Sequence, residues 1–189
     1  SALGFSVMAF TKPGGKVIIQ TPVYSPFYDV IEKNGRQIIE NPLVLQNGRY
    51  TMDFADLESK MKSGAKMMIL CSPHNPVGRV WSREELSRLG ELLLVSDEIH
   101  SDITYGNYRH IPAASISEGI AQNTITCIAA SKTFNIAGLS TSTVIIPDDD
   151  IRKLFTSKLH GVGIHGCNIF GIIATEAAYR YGEKWLEQL

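Results

Sequence analysis

The chain has 189 residues, 44% of them hydrophobic and 20% charged, with a formal net charge of −1. That length can bury a substantial core, and the composition is ordinary for a globular domain. A charge balance near zero, with no basic block, gives no field to draw in nucleic acid or an anionic membrane, and the longest apolar stretches, such as Lys66–Cys71 and Ile125–Ala130, are far too short to span a bilayer.

In chain order, Ala2–Phe10 reads as the end of a helix, broken by Pro13, Gly14 and Gly15 ahead of a strand over Lys16–Gln20. Pro26–Asn34 reads as a helix with Gly35 as its left-handed stop. Gln37–Ile39 is a short strand, and Asn47-Gly48 is a turn dipeptide between short extended runs. Asp53 caps a helix reaching Ser63 and stopped by Gly64. Met67–Cys71 is a buried strand followed by a Pro-rich loop, Ser72–Gly78. Ser82 and Glu85 form a capping box whose helix pattern runs to about Leu94. Strands are expected over Val95–Ile99, Thr124–Ala129 and Thr143–Ile146, and helices over Asp148–Leu159 and Asn168–Tyr181, the second closed by Gly182.

This alternation predicts a three-layer α/β fold: one domain, a mostly parallel sheet, helices on both faces. Ligands of such sheets bind at the carboxyl ends of the strands. One junction is awkward. From Glu91 to Glu98 a helix pattern passes into a strand pattern with no turn residue between, although the reversal needs a loop. Either the helix ends earlier than its pattern, or residues are missing near 94–95; the second reading is favoured.

Cys71, Cys127 and Cys167 are an odd number, widely spaced, with no C-x-x-C pair; Cys71 and Cys127 read as reduced core thiols, and a cytoplasmic, reducing compartment fits. The five histidines show no H-x-x-H or H-E-x-x-H spacing, so no metal site is expected.

Three loops after strands carry unusual polar residues. Asn75 follows the Met67–Cys71 strand; Asp97, Glu98, His100, Ser101 and Asp102 lie at or beyond the end of the next; Ser131, Lys132 and Asn135 follow Thr124–Ala129. Each has a bland explanation. A lone lysine is usually a solvated surface residue, an Asp near a strand end is usually a cap or turn residue, and Asn-Pro is a common turn pair. In conjunction, a Lys, an Asp and an Asn at three neighbouring strand ends fit one cofactor.

The segments SPHNPVGRVW, VSDEIHSD and ASKTFNIAGL closely resemble fold-type I enzymes of the class I/II aminotransferase superfamily that use pyridoxal 5′-phosphate (PLP), and within it the MalY/PatB-type cystathionine β-lyase (C–S lyase) branch. TPVYSPFYDVIEKNGR and NIFGIIATEAAYRYGEKWLEQL also resemble that branch. The resemblance implies that Lys132 carries the cofactor as a Schiff base and moves the substrate Cα proton, and that Asp97 bonds the pyridine nitrogen. It further implies that Asn75 and His100 face the ring hydroxyl oxygen, Tyr24 stacks on the ring, and Ser131 bonds the phosphate. Tyr24 could instead be a core aromatic, and His100 a packed residue that never touches the ring. His74 reads as a loop residue, Glu98 as a structural hydrogen-bond partner and Asn135 as a local turn former.

The activity implied is β-elimination from cystathionine- or cysteine-type amino acids, giving pyruvate, ammonia and a thiol, in a homodimer. A class I/II aminotransferase is the runner-up, and a folded but catalytically incompetent piece of such an enzyme the third reading. Relatives are longer at both ends, so the resemblance implies that this chain is the large domain alone. The small C-terminal domain, the N-terminal segment and the glycine-bearing turn that cradles the phosphate would then lie outside it. Eight residues after Lys132, where many aminotransferases carry a phosphate-binding arginine, this chain has Ser140.

Overall fold

The computed structural model describes residues 2–90 and 92–189. Its frame is a six-stranded sheet in the order β2-β1-β5-β6-β7-β8. The first half supplies α1 (Ala2–Phe10), β1 (Lys16–Ile19), α2 (Pro26–Glu32), β2 (Gln37–Glu40), the hairpin strands β3 (Val44–Gln46) and β4 (Arg49–Thr51), α3 (Phe54–Lys62), β5 (Met67–Cys71) and α4 (Arg83–Ser87). The second half supplies β6 (Leu93–Asp97), α5 (Glu118–Gln122), β7 (Thr124–Ile128), α6 (Ala130–Thr133), β8 (Thr143–Ile145), α7 (Asp149–Gly161), α8 (Ile169–Tyr181) and α9 (Glu183–Gln188). The ladders from β2 to β7 are parallel, and β8 pairs with β7 antiparallel.

The three layers follow from side-chain alternation along the strands. Val17 and Ile19 of β1, Met67 and Ile69 of β5, and Val95 of β6 face one way, packing with Val7, Phe27, Ile31 and Phe155 from α1, α2 and α7. Ile18, Met68, Leu70 and Leu94 face the other way, against Leu57, Leu86 and Ile120 from α3, α4 and α5. β5 is buried along its whole length, as a central parallel strand must be. Each fully buried Ile, Leu or Met of these layers contributes about 1.5–3 kcal/mol.

Local signals place most boundaries. Asn47 and Gly48, both at positive φ (50° and 76°), close the β3–β4 hairpin. Asp53 accepts from the Asp56 amide and caps α3. The Ser82–Glu85 capping box opens α4. α7 begins one residue after its expected start, because Asp148 serves as its cap.

The expected helix to Leu94 is corrected. α4 stops at Ser87, and β6 begins at Leu93, two residues earlier than the expected Val95–Ile99. Leu93 and Leu94 are claimed by the sheet, where they pair with Met67 and Met68. The apolar run of Leu86, Leu89, Leu92 and Leu94 is buried throughout, so its hydrophobicity did not distinguish helix from strand. The early stop of α4 leaves residues 88–92 between helix and strand; Glu91, inside the expected helix, lies outside the described residues. No helix among the described residues is long and apolar enough to cross a membrane.

Candidate functional site

Parallel pairing places the ends of β5, β6 and β7 side by side. Cys71, Asp97 and Cys127 are register partners across the three strands, so the loops after them open from one edge of the sheet. The Ser72 amide donates to the Asp97 carbonyl (3.0 Å) and the Glu98 amide to the Cys127 carbonyl (2.8 Å), which extends the ladder one step beyond the strands.

Asp97 is the unusual group at this edge. Burial pushes its carboxyl up to about 6, opposed by the Ile99 amide and by the charge of Lys132. The Ile99 amide reaches Oδ1 at 3.3 Å. Its two register partners are thiols that burial holds neutral, each pushed up to about 12, with the Asp97 charge adding to the effect. The carboxylate therefore ionises with no thiol to share its charge, in surroundings suited to a cationic N–H donor.

Tyr24 and Asp97 border the same cavity, of about 270 Å³, together with Ala2, Leu3, Cys127 and Ala129. Tyr24 is 44% exposed, which rules out the core-aromatic alternative. Its amide is fixed by the Asn75 carbonyl (3.1 Å) and its ring meets Phe27 edge to face. Asn75 and His100 border a second cavity, of about 200 Å³. His100 is half-buried, and both its burial and the Lys132 charge make it less basic than usual.

Lys132 sits in the one-turn helix α6, immediately after β7, with its side chain exposed. It borders neither cavity, but its charge is felt by both Asp97 and His100. Among the described residues it has no ion-pair or hydrogen-bond partner. Ser131 is half-buried in the same turn and caps nothing there. The fold thus brings Tyr24 to Asp97 on one cavity and Asn75 to His100 on another, with the Lys132 charge reaching both carboxylate and imidazole; Ser131 borders neither cavity.

The bland residues resolve differently. His74, expected as a plain loop residue, is buried: its Nε2 meets the Pro22 carbonyl (2.9 Å), tying the Asn75 loop to the Tyr24 loop. Burial lowers its basicity, so the neutral ring donates this bond. Glu98 is a structural hub. Its carboxylate accepts from Ser96 Oγ (2.8 Å) and the Ala113 amide (3.0 Å) and meets His110 Nε2 (2.7 Å). Asn135 adopts φ 55°, consistent with a turn former. Sequence reasoning read Cys127 as a reduced core thiol, which it is, but not its place opposite Asp97, which depends on strand register, nor the contact of Thr133 with Asp102, which spans 31 residues.

The family described as aminotransferase class I and II matches residues 1–159. The chain is 50% identical over 196 residues to cystathionine beta-lyase PatB of Bacillus subtilis (strain 168), a match covering 100% of this chain and 51% of that protein. It is 34% identical to protein MalY of Escherichia coli (strain K12), covering 97% of this chain and 48% of MalY. Among solved structures, a PLP-bound putative aminotransferase from Clostridium difficile 630 superposes with a TM-score of 0.95 at 47% identity, over 99% of this chain and 50% of that one. Cystalysin from Treponema denticola, whose structure contains PLP, gives 0.95 at 43% identity, over 99% and 49%. The chain spans about half the length of the curated relatives it matches.

Proposed function

The chain belongs to the aminotransferase class I and II family, and from that premise we propose that it is the cofactor-holding large domain of a PLP-dependent lyase. The reaction is β-elimination from cystathionine- or cysteine-type amino acids, giving pyruvate, ammonia and a thiol. The named lyases among the relatives support the reaction. The observation that carries the cofactor is Asp97: a half-buried carboxylate at a central strand end, lacking a cationic hydrogen-bond partner among the described residues, on a cavity edged by an exposed tyrosine.

The residues present fit a flat, cationic, aldehyde-bearing group. Lys132 would hold it covalently, Asp97 would bond the ring nitrogen, Tyr24 would lie on the ring face, Asn75 and His100 would face the ring oxygen, and Ser131 would bond the phosphate. When bound, PLP supplies an electron sink for the negative charge that develops at the substrate Cα. Asp97, ionised above about pH 6, holds a proton on the group it bonds. Lys132 Nζ takes and returns the Cα proton, from an exposed position that a substrate can reach. Cys71 and Cys127, kept neutral, leave the Asp97 charge undiluted.

A homodimer in a reducing, cytoplasmic compartment completes the reading. The exposed Ile169, Phe170, Ile172 and Ile173 of α8 are a surface that an assembly would cover, and all three cysteines are free. Borohydride reduction after incubation with PLP is expected to add one pyridoxyl group at Lys132, located by peptide mass, and none in Lys132→Ala. Absence of that adduct from the wild-type chain sinks the cofactor claim. Pyruvate and thiol released from cystathionine favour the lyase; amino-group transfer to a keto acid with no thiol released refutes it in favour of the aminotransferase.

A further inference from the structure

We propose that Asp102, acting through Thr133, is a positioning residue that sets the Lys132 turn at a fixed place relative to Asp97. The inference rests on the reading that Lys132 and Asp97 serve one cofactor. Thr133 follows Lys132 directly and is 1% exposed. Its Oγ1 donates to Asp102 Oδ2 at 2.8 Å. Asp102 lies five residues beyond Asp97, in a segment folded back by two turns, Ser101 N to Glu98 O (2.9 Å) and Ile103 N to His100 O (3.0 Å). One hydrogen bond therefore ties the segment leaving the β6 carboxylate to the turn leaving β7.

That turn needs a tie. α6 has four residues, no side-chain cap, and is followed closely by Asn135 at positive φ; a single helical turn is not stable alone. The C-terminal helices hold it from the other side. Trp185 Nε1 donates to the Thr133 carbonyl (2.9 Å), and Tyr179 OH donates to the same Asp102 Oδ2 (3.3 Å) while its ring meets Phe134 edge to face. The residue after the lysine is thus gripped at its hydroxyl and at its carbonyl, by groups 31 residues before it and 52 after it. A buried threonine donating to a carboxylate is a strong, charge-assisted bond, and it fixes geometry next to a side chain that must reach one reacting atom.

Thr133→Val keeps the side-chain volume, removes the donor and changes no charge; Thr133→Ser keeps the donor. Two measurements follow each variant: the ¹³C carboxyl titration midpoint of Asp97, which needs no cofactor, and the rate of PLP trapping at Lys132 by borohydride. In Thr133→Val the Asp97 midpoint is expected to rise, because a displaced ammonium no longer favours the carboxylate, and trapping to slow ~10-fold. Thr133→Ser is expected to restore both. An Asp97 midpoint in Thr133→Val equal to that of the wild type overturns the proposal, whatever happens to the urea midpoint. If Thr133→Val does not fold, Trp185→Phe, at a half-exposed side chain, is expected to raise the same midpoint by less, and an unchanged midpoint there overturns the proposal equally. A wild-type chain that traps no PLP refutes the cofactor reading, while the Asp97 midpoint still decides the positioning claim.

Discussion

Asp97 and Cys127 face each other in register across β6 and β7, and the Asp97 charge, added to burial, makes the thiol harder to ionise. The carboxyl is the one that gives way within the accessible pH range, at about 6 against an ordinary 3.8, mainly through burial. The folded chain then binds a proton that the unfolded chain has released, so stability falls as pH rises from about 4 to about 6 and levels off above. The loss is about 1–3 kcal/mol. Urea midpoints across this range are expected to show that slope in the wild type and to lose it in Asp97→Asn.

Glu98 neighbours Asp97 in sequence but does a different job. Its carboxylate, 1% exposed, accepts from Ser96 and Ala113 and meets His110. Glu98→Ala leaves these buried groups without a partner and is expected to cost about 3–5 kcal/mol in urea unfolding. Glu98→Gln, which keeps an acceptor, is expected to cost less.

Gly182 separates α8 from α9 at a point where no side chain fits. A Cβ there would lie 2.3 Å from Phe134 Cε1 and 2.4 Å from the Ala178 carbonyl. Gly182→Ala is expected to destabilise the chain by about 1–3 kcal/mol and to alter the near-UV circular dichroism of Phe134 and Tyr179. Gly138, with open space around its Cβ position, is the control: Gly138→Ala is expected to leave both unchanged.

Tyr24 tests the division between holding the fold and holding a ligand. Its side chain is less than half exposed but lies outside the core, and its backbone bond to Asn75 survives any side-chain change. Tyr24→Ala is expected to move the urea midpoint little and to weaken PLP retention about 10-fold, as loss of ring stacking would, read by equilibrium dialysis. Equal retention in wild type and variant removes Tyr24 from the site.

How much of this was legible in the sequence depended on range. Capping residues and turn dipeptides act over three or four positions, so Asp53, Ser82 with Glu85, and Asn47-Gly48 marked their elements directly. The strand ends carrying Asn75 and Lys132 were legible because apolar β-runs stop abruptly in polar loops. The start of β6 was not, since its leucines serve helix and strand equally until pairing with Met67 decides. α5, α6 and α9, of four to six residues, carry too little periodicity to read. Contacts such as Thr133 with Asp102, or Asp97 between two thiols, are set by topology and register, and no local pattern encodes them.

The grip of Trp185 on Thr133 also imposes an order of events. The tryptophan is synthesised 52 residues after the threonine, when β5, β6 and β7 have long since left the ribosome. The sheet edge bearing Asp97 can therefore assemble while the lysine turn still lacks its last restraint. Ligand competence is expected to lag behind sheet formation in the nascent chain.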